Sequence, residues 1–451
     1  MRKALIILFL TTWVATLTLG EDLSLQQAIN LALRQNGSIQ SSRCKLEAAE
    51  AQVMAARGSL VPQVTASGSM LRLNSLIGAG VNMVSMPVMD SSHAPTGETV
   101  SVPMLGITSD NIGNAYSGKL SASWPIYTGG KIWQGYQISR LARDAVKQEV
   151  DTTTANVNLS VKQAYYGLLL ARQALEVVRE ADSIIQKHVG RVQAMYQKGI
   201  VSKLDVLRAE VQQSNIQPQI IRMENMVDLA RQSLNLLLNR DLDAAVTLTD
   251  SMIYIPAQID SMGLIARALA NRPELKQVEL GRRIAGKARL ISWSGYQPNV
   301  VLMADYSTSK GQGFSGGDAW QKNWDVGVAA SWILFDGLGT AGRIRQANAG
   351  IRQLRVTRDQ VENYIRLDVT ANYLTLKANE KAILSQKRVV EQAQEAFRMS
   401  QARYESGQAT NLDVLDAQLA LSQARTNNIQ AVYDYLVSLA KLEKAVGQQI
   451  R

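Results

Sequence analysis

Side chains able to carry nucleophilic or metal chemistry are scarce in this chain. It has one cysteine, Cys44, and two histidines, His93 and His188, among 451 residues. Sites built on thiolates or imidazoles need several such groups close together. We expect Cys44 to be a helix residue packed among Leu and Ala, and His188 to be isolated on a long helix. The sequence shows no catalytic triad, catalytic carboxylate pair or metal-ligand spacing, so we predict no enzyme activity, cofactor or metal.

One methionine-rich segment has residue types that bind soft metal ions. Met83, Met86, Met89, Met104 and His93 fall close together in the sequence. Thioethers at such spacing could bind Cu(I) or Ag(I). The simpler interpretation, which we favour, is a long loop that is extracellular or folded into a lumen and is filled by flexible methionines.

A second segment has a weak similarity to a phosphate-binding loop. Residues 128–131 read TGGK, but the full glycine spacing of such loops is missing. The segment also aligns with residues 336–339 in the second half of the chain. We therefore predict a strand-to-helix turn.

The composition and the first residues indicate an exported protein. With 46% hydrophobic residues and a single cysteine, the chain is neither disordered nor a disulfide scaffold. Arg2 and Lys3 precede an apolar run, and Gly20 precedes a plausible cleavage point, so residues 1–20 are predicted to be a signal peptide. An uncleaved anchor is the alternative. The net charge of +10 could suit nucleic acid or anionic lipid, but export argues against nucleic acid.

No later stretch contains 18 consecutive apolar residues, which excludes a helical membrane protein. A membrane role is then possible only through β-strands with alternating apolar and polar residues.

The chain matches itself at an offset of 208 residues. Ser123-Trp124 falls on Ser331-Trp332, and the sequence LDVL at 204–207 falls on LDVL at 412–415. Nearer the start the offset is 236, which implies an insertion of 28 residues in the first copy, between about residues 68 and 117. A period this long predicts a duplicated half-protein rather than a solenoid. The predicted units are residues 21–240 and 261–451, joined by a linker at 241–260.

Each half has the same predicted order of a helix, a strand, a loop, a strand and two long helices. In the first half, residues 25–58 have helical spacing after the capping residue Ser24. Strands about 10 residues long are predicted from Val64 and Val300, and alternation predicts further strands at 116–126 and 326–334. Sandwich strands would alternate equally well, but four strands interrupting long helices are unusual for a sandwich. The aromatic residues at one end of the strands fit an interfacial girdle and are Trp124, Tyr127, Trp332 and Phe335.

The long helices are predicted at residues 132–198 and 342–406, with return helices at 204–239 and 412–446. No proline falls between Pro125 and Pro218, and none follows Pro298. A helix of this length would extend roughly 100 Å.

The repeated tip sequences carry a family resemblance. Tyr196-x-x-Gly199 followed by LDVL at 204–207, and Tyr404-x-x-Gly407 followed by LDVLDAQ at 412–418, resemble the TolC family of outer-membrane efflux proteins. The resemblance implies an α+β membrane protein in which each chain of a homotrimer gives four strands to one 12-stranded β-barrel. The long helices would continue it as a periplasmic α-helical barrel that is closed at its tips. Four strands cannot close a barrel alone, so trimerisation also follows from the need to pair strand edges in lipid.

The same resemblance places candidate functional residues at the tips. Asp205 and Tyr404 match positions that bond across neighbouring hairpins to close the aperture. The family's basic partner after the glycine is absent, because Ala409 stands there. Asp413 and Asp416 share a helix face, and either cap the helix or form acidic rings at the entrance.

Arg208 is the first-half equivalent of Asp416, and either pairs with Asp413 or Asp416 of an adjacent hairpin or is solvated. The tip residues matching the adaptor-docking region are Gly199, Leu204, Gly407 and Leu412.

The resemblance implies a passive conduit of a tripartite efflux or type I secretion system. Its partners would be a periplasmic adaptor (membrane fusion) protein, an inner-membrane transporter of the RND or ABC type, and outer-membrane lipid. The exported substrate stays open between drugs, metal ions, polysaccharide and polypeptide. The alternative function is that of a periplasmic helical scaffold or adaptor protein.

Overall fold

The computed structural model of the protein describes residues 21–73, 76–89, 95–108, 113–257, 259, 262–311 and 319–449. The predicted signal peptide, residues 1–20, and His93 lie outside these residues. The described chain divides into two compact units. One contains residues 21–48, 144–280 and 355–449, and the other contains residues 49–143 and 281–354.

The described part of the chain contains eight α-helices, eight strands and a short 3-10 helix at Ser294–Tyr296. The helices are α1 (Leu25–Gln35), α2 (Gly37–Gly58), α3 (Lys131–Gln197), α4 (Lys203–Leu237), α5 (Leu264–Asn271), α6 (Pro273–Trp293), α7 (Gly339–Glu405) and α8 (Asn411–Val446). The strands are β1 (Glu21–Leu23), β2 (Gln63–Leu73), β3 (Leu76–Met89), β4 (Pro95–Thr108), β5 (Gly113–Tyr127), β6 (Val246–Leu248), β7 (Asn299–Gly311) and β8 (Gln321–Ser331).

The four long helices agree with the sequence prediction. Both α3 and α7 have 67 residues, which corresponds to roughly 100 Å of helix. Their starts and ends lie within three residues of the predicted ones, because uninterrupted helical periodicity without proline leaves little choice. None of the described helices has a stretch apolar and uncharged enough to span a bilayer.

The predicted helix over residues 25–58 is two helices. Ser24 caps α1 through a capping box with Gln27, as predicted for this residue. Asn36 then adopts an extended conformation, and its side-chain Nδ2 donates to the Leu237 carbonyl at 2.8 Å. That bond ends α1 and lets the chain start again at Gly37. Cys44 lies on α2 but is exposed, so the prediction that it packs among apolar residues is wrong.

The predicted strands form one antiparallel sheet in the order β2-β5-β7-β8. One row across the sheet is Thr65, Ser121, Asp305 and Asp325, and the next row is Ala66, Leu120, Tyr306 and Trp324. Because successive residues of a strand point to opposite sides, the sheet has a polar face and an apolar face. The last strand lies earlier in the sequence than predicted, since β8 runs from Gln321 to Ser331 rather than over residues 326–334.

The inserted segment of the first half is a β-hairpin rather than the predicted loop. β3 pairs antiparallel with β4 in a separate two-stranded sheet. In its register Met83 lies opposite Pro103, Met86 opposite Val100, and Met104 opposite Asn82. No two of these methionines are cross-strand partners, so the register does not favour the soft-metal interpretation.

The main core lies in the unit that contains the middle of α3. Tyr165, Leu168, Leu234, Tyr435 and Leu442 are among its fully buried side chains. Beside this core, β1 pairs in parallel with β6. The element order of residues 25–237 recurs in residues 264–446, apart from the β3–β4 hairpin. An internal duplication is our interpretation of this recurring order.

Candidate functional site

The helix-hairpin tips are built alike. α3 ends at Gln197, and the backbone turns through Gly199 with φ +73°, while α7 ends at Glu405 and turns through Gly407 with φ +74°. The amides of Gly199 and Gly407 bond to the carbonyls of Tyr196 and Tyr404 at 2.9 and 3.1 Å. A residue with a side chain is strained at this positive φ, so glycine terminates both helices.

The next helix at each tip begins with a capping box. Asp205 accepts from the Ser202 amide at 3.1 Å, and Ser202 Oγ accepts from the Asp205 amide at 3.3 Å. Asp413 and Thr410 exchange the equivalent bonds at 2.7 and 3.3 Å. The backbone and side-chain bonds from Thr410 lower the pKa of Asp413 below its usual value. Asp205 and Asp413 therefore serve as the third residues of their helices and satisfy free amides there.

The other charged residues predicted at the tips are exposed. Arg208 and Asp416 face solvent, and neither has an ion-pair partner within the described residues. Leu204 and Leu412 are also exposed, at 55% and 50%. The tips thus present charged and apolar side chains to solvent.

Tyr404 is buried rather than presented at the surface. Only 4% of it is exposed, and it packs in an apolar cluster with Ile185, Val206 and Val414. Its hydroxyl has no hydrogen-bond partner among the described residues. Burial raises the pKa of Tyr404, and the nearby charge of Asp205 raises it further. The structure therefore places Tyr404 and Asp205 in one neighbourhood without joining them by a hydrogen bond.

His188 belongs to the tips and is not isolated, contrary to the prediction from the sequence. It is 7% exposed, its ring centroid lies 5.2 Å from that of Tyr404, and its Nε2 lies 2.6 Å from Asn411 Oδ1. Asn411 Nδ2 donates to the Asp205 carbonyl at 2.9 Å. Two polar side chains thus connect α3 with the starts of α4 and α8. The spacing of Ala181, Ile185, His188 and Val192 on one helix face is the sequence signal for this burial.

Ion pairs support the same contact between helices. Arg191 on α3 pairs with Glu405 on α7, and Arg425 on α8 pairs with Glu180 on α3. These pairs are partly exposed and contribute modestly to stability. They add charge complementarity along the helix surfaces that meet near the tips.

Comparison with known proteins identifies the family. The family described as "Outer membrane efflux protein" matches residues 28–240 and 264–448. The chain belongs to this family. It is 24% identical over 319 residues to outer membrane protein TolC of Vibrio cholerae, covering 68% of this chain and 70% of that protein. It is also 24% identical over 449 residues to nodulation protein T of Rhizobium leguminosarum bv. trifolii, covering 97% and 88% of the two chains.

A solved structure shows the same fold. The Campylobacter jejuni CmeC outer membrane channel superposes with a TM-score of 0.77 at 18% identity, covering 94% of this chain and 85% of that one. The resemblance to the TolC family is therefore confirmed, and the protein is an outer-membrane channel protein rather than an enzyme.

In this outer-membrane efflux protein, matching aromatic residues anchor the ends of the sheet. Trp124 Nε1 donates to the Leu60 carbonyl at 3.2 Å, and Trp332 Nε1 donates to the Tyr296 carbonyl at 3.1 Å. Both rings are otherwise exposed, at 42% and 62%. Phe335 is 81% exposed. Exposed aromatic rings with bonded polar atoms suit a boundary between an apolar and a polar medium.

The polar face of the sheet carries a charge pair. Lys119 Nζ lies 3.2 Å from Asp305 on the neighbouring strand. Within the described part of the chain, no group of three or more His, Cys, Asp or Glu side chains could hold a metal ion. The polar face of the efflux protein's sheet therefore carries a cross-strand ion pair.

Residues 128–130 form the predicted turn between β5 and α3, and Lys131 begins the helix. Gly129 has φ +60°, and a Cβ there would lie 2.6 Å from Gln297 Cβ. The close approach of Gln297 explains the glycine.

Proposed function

We propose that three copies of this chain form a passive export channel whose strands lie in the outer membrane and whose long helices extend into the periplasm. The supporting observation is the four-stranded sheet, which is apolar on one face and polar on the other. Among the described strands, β2 and β8 each have one neighbour, so each leaves an edge unpaired. Unpaired edges in lipid cost several kcal/mol per group, and pairing β2 of one copy with β8 of the next would give a closed 12-stranded barrel.

The spacing of aromatic residues supports placement of the sheet in a membrane. Tyr116 and Trp124 on β5 are eight residues apart, as are Trp324 on β8 and Trp332 just beyond it. Eight extended residues rise about 27 Å along the strand, which at the roughly 40° tilt of barrel strands spans about 20 Å of the roughly 25 Å apolar band that aromatic girdles flank. Trp324 is 77% exposed, as expected for a lipid-facing girdle residue.

Outer-membrane localisation and trimerisation are tested together by fractionation. We expect the protein to require detergent for extraction from outer membranes and to migrate on unheated gels as a trimer that heating converts to monomer. Purified trimers are expected to conduct ions in planar bilayers. A freely soluble monomer would instead support the alternative of a periplasmic scaffold or adaptor protein.

Gating is proposed at the hairpin tips. Three copies would bring Asp413 and Asp416 around one axis, where acidic rings favour cations at the periplasmic entrance. The exposed Leu204 and Leu412, beside the turns at Gly199 and Gly407, would contact a periplasmic adaptor protein. An inner-membrane transporter of the RND or ABC type would then supply the driving force and choose the substrate.

Arg208 is proposed to pair with Asp413 or Asp416 of an adjacent hairpin. Its exposure and lack of a described partner in its own chain leave it available for this contact. We expect Arg208→Ala, on α4, to raise the closed-state conductance in planar bilayers. The control is Lys187→Ala, which removes an exposed cation from α3 and should leave the closed-state conductance unchanged. An unchanged closed-state current in Arg208→Ala would remove the pairing proposal without affecting the channel itself.

A further inference from the structure

The orientation of one buried amide determines the hydrogen bonding of His188. The Asp205 carbonyl can only accept, so the Asn411 group 2.9 Å from it must be the Nδ2 donor. Asn411 Oδ1 then faces His188 Nε2, which must donate across the 2.6 Å contact. His188 is therefore neutral with its proton on Nε2, or fully protonated. In the neutral form its Nδ1 has no hydrogen.

This bond connects elements that lie far apart in the sequence. His188 belongs to α3, and Asn411 is the first residue of α8. Asn411 also reaches the start of α4, and His188 packs on Tyr404 near the end of α7. The two side chains are 7% and 2% exposed. Moving the α7–α8 tip away from the α3–α4 tip would break this bond and leave its groups to be solvated.

We propose that His188 and Asn411 form a latch within each chain that keeps the α7–α8 tip against the α3–α4 tip, and that acidification releases it. The inference rests on the proposed channel function and assigns a positioning role to His188. The latch acts inside one chain, unlike contacts between the hairpins of neighbouring chains. It requires no other subunit and no ligand.

The surroundings of His188 determine the direction of the pH effect. Burial lowers its pKa below the usual 6.5, the bond to Asn411 raises it, and Arg191 lowers it. The ionisable groups recorded beside the ring are Arg191 and Tyr404. The other ionisable groups at the packed helix ends are Asp205, Glu405 and Asp413. Arg191 pairs with Glu405, while Asp205 and Asp413 are bonded to their own capping residues.

Protonation would add a positive charge and a second N–H, at Nδ1, to a side chain that is only 7% exposed, and the structure records no acceptor for Nδ1 among the described residues. Since the pKa of His188 is lower in the contact than when the ring is solvated, the latch is fully stable above pH 6.5 and weakens as the pH falls below it.

Single-channel recording of purified trimers tests the latch. With the tip side taken from about pH 7.5 to about pH 5.5, where histidine titrates, we expect the wild-type open fraction to rise. His188→Gln keeps an amide donor without a titrating group, so its open fraction should stay low at both values. His188→Leu leaves Asn411 Oδ1 unpaired and should raise the open fraction roughly tenfold already at the higher pH. Migration as a trimer on unheated gels verifies that each variant is folded.

His93→Gln removes the other histidine of the chain and is the matched control, which should respond to pH as the wild type does. The latch is refuted if His188→Gln retains the wild-type acid response, or if His188→Leu behaves as the wild type at the higher pH. Absence of conductance in the wild type at every pH would refute the proposed channel function, and the latch with it. Failure of the channel function is distinguishable from failure of the latch, because the first is seen in the wild type alone and the second only when variants are compared with a conducting wild type.

Discussion

The ion pair between Lys162 on α3 and Glu443 on α8 should contribute far more to stability than the exposed pairs. Lys162 Nζ lies 2.6 Å from Glu443 Oε2, and the two side chains are only 14% and 12% exposed. Removing one partner of a fully buried pair costs about 3–5 kcal/mol, because the other charge is left without compensation. The residual exposure here, and a neighbouring cavity of about 390 Å³ that can admit water, reduce the expected cost to about 2–3 kcal/mol for Glu443→Gln.

A matched pair in the same unit provides the control. Lys45 and Glu149 join α2 to α3 at 3.0 Å, but are 62% and 46% exposed. Breaking that pair should cost about 0.2–1 kcal/mol. The assay is chemical denaturation of the detergent-solubilised protein at one concentration, followed by circular dichroism, for both single variants and the double variant of each pair. Equal coupling energies for the two pairs would show that burial does not decide the strength of these contacts.

Two further predictions concern the sheet and the tips. Gly311→Ala should reduce the yield of heat-modifiable trimer, because residue 311 has φ +117° and its new Cβ would lie 2.1 Å from the Asn114 carbonyl oxygen. Gly327→Ala is the control and should leave the yield unchanged, because a Cβ at residue 327 would meet open space. Because the pKa of Asp413 is lowered from 3.8, its cap stabilises the α8 start above that pH and is lost as the pH falls through the lowered pKa. A spin label at Gln408 should therefore become more mobile below pH 3.8 in the wild type, and its mobility should be independent of pH in Asp413→Asn.

The long helices could be predicted because their signals are local. Helical periodicity and the absence of proline determine α3 and α7, and the repeated LDVL sequences indicate where the return helices begin. The position of Ser24 before an apolar run predicts a helix cap, and its side chain makes the expected bond. Alternation likewise predicted the strands of the sheet.

Contacts between distant parts of the chain could not be predicted in this way. Asn36 ends α1 through a carbonyl 201 residues away, and His188 bonds to a residue 223 positions later. The β3–β4 hairpin has no counterpart among the described residues of the second half, so the repeat is no guide to it. Its composition of methionine, valine, serine and glycine suits a loop as well as a strand. Only the pairing register distinguishes the two.

The sizes of the two apolar clusters indicate where the helices separate most easily. The main core buries large side chains such as Leu168 and Leu442, and the hydroxyl of its Tyr165 bonds both the Leu23 carbonyl and Asp250 at 2.9 Å. The tip cluster buries fewer apolar side chains, mostly Ala, Val and Ile, together with the unpaired hydroxyl of Tyr404. A buried polar group that lacks a partner is costly, and water restores its hydrogen bonds when the contact opens. Opening at the tips therefore costs less free energy than separating the same helices at the main core, which suits a gate at the tips.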